Sequence, residues 1–286
     1  MRIAVTGANG RLGGEVVNLL AADGAHDIVA VSRRPIATSR YGKRVRAATA
    51  DYADRAALRT ALRGVDTLVF VSSEGEATKV LVHHQNVIEA AADSDINHIV
   101  ALSGLDADLE SPFCYAVTYA LTEQLLLESG CSISVARASI YTEFFLAWLN
   151  EARGSGQLRL PAADGRVSFV SRSDVARALV ALATAPPTGQ THDITGPEAL
   201  DLPTLAAIAK QEWETPIEYI DIAPGKHREE MARAGEDAWW LYAYSSMFDS
   251  IRDQRWTAVS DEVHRLAGHA ATSVRTVLSH QLNFTP

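Results

Sequence analysis

Gly7, Gly10 and Gly13 stand three residues apart in TGANGRLGG, directly after the apolar run RIAVT and directly before a helix-like stretch. Between a strand and a helix, glycines at this spacing make a tight turn, admit a pyrophosphate against the backbone and let the helix pack closely on the strand. The anion would rest on unpaired N–H groups at the helix N-terminus. The second apolar run, IVAVS, leads straight into Arg33 and Arg34, with no Asp or Glu beside them. An acid at that point holds the ribose hydroxyls of NAD, whereas an arginine accommodates the 2′-phosphate of NADP. With Arg11 inside the glycine loop as a third cation, the pattern points to NADPH, although either Arg33 or Arg34 can equally coat a loop.

Other candidates follow along the chain. Asp51 and Tyr52 come after the third strand, where an adenine edge would lie, and Asp51 equally fits a turn cap. Ser72 and Ser73 end the fourth strand, beside the expected phosphate and ribose. Tyr115, Tyr119 and Glu123 are four residues apart and share one helix face. That face either meets a nicotinamide or packs the helix against a smaller domain, with Glu123 read as a solvated or capping partner. Trp239, Trp240, Tyr242, Tyr244, Phe248 and Trp256 either line an aromatic acceptor pocket or form core. Helix neighbours point about 100° apart, so Trp239 and Trp240 are expected to divide these roles. Cys114 reads as a small buried hydrophobe. The adjacent His83 and His84 point to different helix faces, and no metal is expected. RGSGQ is an incomplete GxSxG, which removes a hydrolase elbow.

The elements that must position these residues alternate. Strand-like runs at 2–6, 28–32, 67–71, 98–102 and 132–136, with a weaker one around Val45, are separated by helical stretches at 12–22, 54–63, 77–93 and 115–128. Such alternation implies a doubly wound parallel sheet, a Rossmann-like α/β fold, over residues 1–137. Residues 138–286 lose the rhythm and are expected to form mainly a smaller α/β substrate domain at the carboxyl edge of the sheet, with a strand near 190–195 returning to it. Within that part a helix from the Ser171 region ends before Pro186 and Pro187, a helix covers 203–213, a strand covers 217–222, and the tail from 226 is helical.

The chain has 286 residues, 47% hydrophobic and 21% charged, which suits an ordinary globular protein. A formal charge of −9 argues against nucleic acid or anionic membrane as partner. Two cysteines without metal or disulfide spacing, no membrane-length apolar run and no leader-like start place the chain in the cytosol, as an expectation. A small-molecule partner is expected, with a homodimer left open.

The collinear segments AVTGANGRLGGEVV, ADYADRAALRTALRGVDTLVFVSS, HHQNVIEAAADSDINHIVALSG, TEQLLLESGCSISVARASIYTEFF, RSDVARALVAL and THDITGPEAL resemble the NmrA-like branch of atypical short-chain dehydrogenases/reductases. The similarity is strongest to the NADPH:quinone oxidoreductases of that branch. It implies NADPH as hydride donor and quinone-like or other conjugated aromatic acceptors. Gly7, Asn9, Gly10, Arg11, Leu12 and Gly13 match the phosphate loop, Arg33 the 2′-phosphate arginine, and Ser72 and Ser73 the fourth-strand contacts. Ser103 and Tyr115 fall at the catalytic serine and tyrosine positions, Tyr119 replaces the expected lysine, and all three are candidate catalytic residues, with Tyr115 or Tyr119 supplying a proton or a ribose contact. The segment Arg137 to Glu143 is expected to close around the nicotinamide, with Arg137 beside the cofactor. Tyr141 and Phe144, the latter in place of the usual asparagine, join Trp239 and Trp240 as expected substrate contacts. The branch also contains catalytically silent NADP(H) sensors, so a regulatory role stands beside the reductase, as does a biosynthetic reductase of a specialised carbonyl or imine.

Overall fold

The computed structural model describes residues 1–281. Its strands are β1 (Arg2–Val5), β2 (Asp27–Ser32), β3 (Val45–Thr49), β4 (Thr67–Phe70), β5 (His98–Gly104), β6 (Ser132–Ala138), β7 (Gln157–Leu160), β8 (Arg166–Val167), β9 (Thr191–Ile194), β10 (Leu200–Asp201) and β11 (Glu218–Asp221). The helices are α1 (Arg11–Asp23), α2 (Arg55–Ala61), α3 (Ala77–Ala92), α4 (Cys114–Glu128), α5 (Thr142–Ser155), α6 (Arg172–Thr184), α7 (Leu202–Glu212), α8 (Pro224–Arg233), α9 (Ala238–Arg252), α10 (Glu262–Ala267) and α11 (Val274–Gln281). Among the described residues, seven strands form the main sheet in the order β3-β2-β1-β4-β5-β6-β9, and its ladders are parallel. The order reverses between β1 and β4, and at such a switch point a crevice opens beyond the carboxyl ends of the strands.

The central strands are apolar on both sides because helices cover both faces. On one face Val5, Val69 and Val100 meet Val16, Val17 and Leu20 of α1 and Leu179 and Leu182 of α6. On the other, Phe70, Ile99 and Val29 meet Leu58 of α2, Val87 and Ile88 of α3 and Leu126 of α4. Caps set several helix starts: Asp54 accepts from Ala57 N at 2.9 Å, Ser171 from Asp174 N at 3.0 Å and Asp201 from Thr204 N at 2.8 Å. Gly130, with φ of 76°, takes the left-handed turn just beyond α4.

A third core holds the smaller lobe together, with Phe145, Leu149, Leu158, Leu160, Phe169, Leu205, Trp213, Phe248 and Trp256 buried in it. Two short sheets, β7 with β11 and β8 with β10, brace it. The chain beyond residue 138 is shared between the layers. β9 pairs with β6 as the edge strand, α6 packs on α1, and Val263 of α10 is buried with the sheet core, whereas α5, α7, α9 and α11 contribute to the lobe.

Candidate functional site

The glycine loop is shaped by backbone contacts. Gly7 has φ of 62°, a conformation that side chains with a Cβ rarely adopt. Its carbonyl accepts from Gly10 N at 2.8 Å. A Cβ on Gly13 would lie 2.4 Å from that same oxygen, so Gly13 is where helix and strand meet too closely for a side chain. Gly10 has an ordinary φ of −76°. The turn's conformational demand thus falls on Gly7, and a small residue at Gly10 keeps the approach to the helix end open. No side chain caps α1 and no acid stands in its first turn, which leaves the N-terminal N–H groups and dipole for an anion.

Around this helix end Arg11, Arg33 and Arg34 are exposed, and among the described residues none of them makes an ion pair. Asn9 donates to Ser32 Oγ at 3.2 Å and to the Arg34 carbonyl at 3.0 Å. It thereby ties the arginine-bearing turn to the glycine loop. Ser32 lines the site and escaped the sequence reading, although its place at the end of IVAVS was a usable signal. Leu12, Asp51, Tyr52, Ser72 and Ser73 line the same cleft. Asp51 accepts from Ala53 N at 2.9 Å, the turn cap that was one of its two readings. The Tyr52 hydroxyl donates to the Val71 carbonyl at 2.7 Å and that of Ser72 to the Leu102 carbonyl at 2.7 Å, so both brace strand ends.

Of the expected catalytic hydroxyls, those of Ser103 and Tyr115 have committed protons. Ser103 donates to Glu123 Oε1 at 2.6 Å. Tyr115 donates to the Gly75 carbonyl at 2.6 Å and accepts from Gly75 N at 3.0 Å and Trp239 Nε1 at 3.4 Å. Glu123 is not a solvated residue. Its carboxylate, 12% exposed, grips Arg137 through Nε at 2.9 Å and a terminal nitrogen at 2.6 Å. That fork-to-fork pair turns Arg137 towards Glu123, and Arg137, expected beside the cofactor, is not among the residues lining the cleft. Tyr119 does face the cleft, its ring against Gly104, and its hydroxyl makes no hydrogen bond among the described residues. Burial above all, then Tyr141, Tyr115 and Glu74, push the Tyr119 phenol up, so it stays protonated.

Beyond Tyr119 the cleft becomes aromatic. Tyr141, Phe144, Trp148, Trp240 and Tyr244 line it, in a continuous volume of about 1510 Å³ that reaches back to the glycine loop. Trp240 stacks on Tyr244 at 5.7 Å, and Tyr244 also meets Phe144 at 6.0 Å and Trp148 at 5.8 Å. Trp239, expected as a substrate contact, is not among the residues lining the cleft: it sits behind Tyr115, edge to face at 6.1 Å. Tyr244, one of the tail aromatics read as either pocket or core, lines the cleft, whereas Trp148 escaped the sequence reading. Trp148 lies four residues after the wall residue Phe144 on the same helix, and that spacing could have found it. His83 lines the cleft while its neighbour His84 is buried, its Nδ1 donating to Thr122 at 2.8 Å and its Nε2 accepting from Ser73 N at 3.1 Å. Cys114 is buried, and burial pushes its thiol up, as befits a small core residue.

A parallel sheet with its glycine loop at the switch point and cations around an uncapped helix end is the architecture of a nicotinamide-dinucleotide enzyme, and these residues fit the pyrophosphate and a phosphorylated ribose. The chain belongs to the NAD(P)H-binding family, whose model matches residues 7–186. It is an NAD(P)H-dependent oxidoreductase of the NmrA-like type. It is 30% identical to quinone oxidoreductase 2 of Escherichia coli over 98% of this chain and 99% of that protein. It is 31% identical to an NmrA-like family domain-containing oxidoreductase of Aspergillus flavus over 82% of this chain and 81% of that one. The crystal structure of an Escherichia coli NADPH-dependent quinone oxidoreductase complexed with NADPH superposes with a TM-score of 0.91 at 28% identity, covering 98% of this chain and 100% of that one.

Proposed function

We propose that this chain is a cytosolic reductase that uses NADPH in preference to NADH and acts on quinones or similar conjugated aromatic acceptors. The observation that carries this reading is the single cleft joining the glycine loop and its arginines to a wall of aromatic rings. Arg11, Arg33 and Arg34 would hold the 2′-phosphate, and the N-terminus of α1 the pyrophosphate. Bound NADPH supplies a hydride.

The protein's own part is to orient a flat acceptor and exclude water. Trp240, Tyr244, Phe144 and Trp148 offer planar apolar surface for stacking, which favours a ring system over a flexible chain. Tyr119 donates a hydrogen bond to the acceptor oxygen. Ser103 and Tyr115 act as positioning residues, since their protons are held by Glu123 and Gly75. A reduced quinone is a phenol with a pKa near the roughly 10 of tyrosine, so one neutral donor is enough, whereas a ketone would demand a tuned acid. The test is loss of NADPH absorbance with 2-methyl-1,4-naphthoquinone and, separately, with a simple aliphatic ketone. Turnover of the quinone and not of the ketone is expected. Tight NADPH binding without turnover of any conjugated acceptor would favour the nucleotide-sensing reading instead.

A further inference from the structure

Helix α5 runs along the cleft like a ruler. Phe144, Ala147, Trp148, Glu151 and Ser155 line it at spacings of three and four, so one face of the helix borders the cleft from its first turn to its last. At about 1.5 Å per residue that face is about 17 Å long, and a two-ring quinone held beside Tyr119 occupies only part of it. Ring contacts carry the aromatic wall onward. Trp240 meets Tyr244, Tyr244 meets Trp148, Trp148 meets Phe248 at 5.6 Å, and Phe248 meets the His227 ring at 5.2 Å. His227 itself lines the cleft, from α8.

That helix buries a single residue, His227, which is 5% exposed. The other buried histidines among the described residues have partners: Thr122 and Ser73 for His84, Ser134 for His98, and Thr188 and Glu262 for His192. Neither ring nitrogen of His227 makes a hydrogen bond among the described residues, and neither is sealed inside the protein. Both therefore open into the cleft. Buried polar groups are nearly always paired, so an open one in a ligand cleft marks where a ligand brings the partner.

The chemistry of that partner follows from the surroundings. Burial lowers the His227 imidazole, against a smaller raising influence of Glu230, so at about pH 7 it is neutral and presents one donor and one acceptor. A hydroxyl group answers both. Arg159, the cation at this end, is paired with Glu230 at 2.8 Å, and Glu151 lines the cleft without an ion pair among the described residues. Arg172 lies elsewhere, over the Tyr141 ring at 5.5 Å, where α5 begins. An anionic group brought to His227 would lose its water to a neutral ring with an unanswered carboxylate nearby.

Resting on the reductase reading, we propose that the cleft takes elongated acceptors, with a conjugated ring system beside Tyr119 and, joined to it, a neutral hydroxyl-bearing group hydrogen-bonded to His227. His227 is then a specificity-determining residue, remote from the reacting atoms.

The experiment measures affinity without turnover. The full-length protein, saturated with NADP+ at about pH 7 where a phenol is neutral, is titrated with 2-phenyl-1,4-naphthoquinone and with its 4-hydroxyphenyl, 4-methoxyphenyl and 4-carboxyphenyl counterparts, following tryptophan fluorescence. The hydroxyl compound should bind about fivefold or more tighter than the phenyl parent, as one hydrogen bond would give, and the carboxylate weakest of the four. The methyl ether, which cannot donate, should lose most of that gain. In His227→Phe, which keeps an aromatic ring against Phe248, the hydroxyl and parent compounds should bind within about twofold of each other. Equal affinities in the unmodified protein, a methyl ether as tight as the hydroxyl, or a hydroxyl preference that survives His227→Phe overturns the proposal. Absence of NADPH-dependent turnover with all four quinones would strike the reductase reading and leave these affinities as they stand.

Discussion

The Tyr115 phenol is held by the Gly75 carbonyl, the Gly75 N–H and the Trp239 indole, so its removal should loosen a turn and leave the chemistry without losing an acid. Tyr115→Phe is expected to lower quinone kcat by less than about tenfold while raising the acceptor KM. A fall of about a thousandfold in kcat with NADPH binding intact would mark Tyr115 as an essential proton donor instead. At the other end of the cleft, Arg33 and Arg34 are exposed and without ion pairs among the described residues. One charge-assisted contact to the 2′-phosphate corresponds to about a tenfold preference for NADPH over NADH. Replacing both arginines with glutamine should erase most of that preference in calorimetric titrations, with little change for NADH. Equal affinity of the unmodified protein for the two nucleotides would refute the assignment.

Helix α1 meets the sheet where Gly13 faces the Gly7 carbonyl. Gly13→Ala would place a methyl carbon 2.4 Å from that backbone oxygen, which has no flexible side chain to move aside. The helix must shift, at a cost of about 1–3 kcal/mol or more, and the urea midpoint should fall accordingly. Gly10→Ala is a contrasting variant. Its Cβ would sit 3.1 Å from the Gly7 oxygen, at an ordinary φ of −76°. It should fold with a near-normal midpoint and lose nucleotide affinity, because the methyl group occupies the approach to the helix end. A normal NADPH affinity for Gly10→Ala, measured beside its midpoint, would show that the pyrophosphate does not come close to that backbone.

The whole molecule holds several histidines uncharged. Burial holds His84 down to about 3 against an ordinary 6.5, with a smaller contribution from His83, and burial lowers His98 and His227 as well. A histidine depressed in the folded state contributes stability that is present above its unfolded value and lost as pH falls towards the folded one. For His84 that window runs downward from 6.5. At about pH 5 the loss is roughly 2 kcal/mol, from about 1.36 kcal/mol per pH unit. The urea midpoint should therefore drop between about pH 7 and pH 5, and His84→Gln should flatten the drop, the remainder resting on His98 and His227. An unchanged slope in the variant would remove His84 from this account.

Local sequence determined what local physics controls. The strand, glycine turn and helix at the N-terminus, the alternation through residue 137, the caps at Asp54 and Ser171, and the arginines after IVAVS follow from spacing and residue type within a few positions. Tertiary structure decided which polar groups spend their hydrogen bonds on one another. Glu123 accepts the hydrogen bond of Ser103 and the fork of Arg137 because β5, β6 and α4 bring together residues 14 and 20 positions apart. Tyr115 reaches Gly75 across 40 positions, and Trp239 reaches Tyr115 across 124. No spacing rule encodes such pairings. They arise when separate elements pack and each buried donor must find an acceptor, and that decided which candidate side chains still face the cleft.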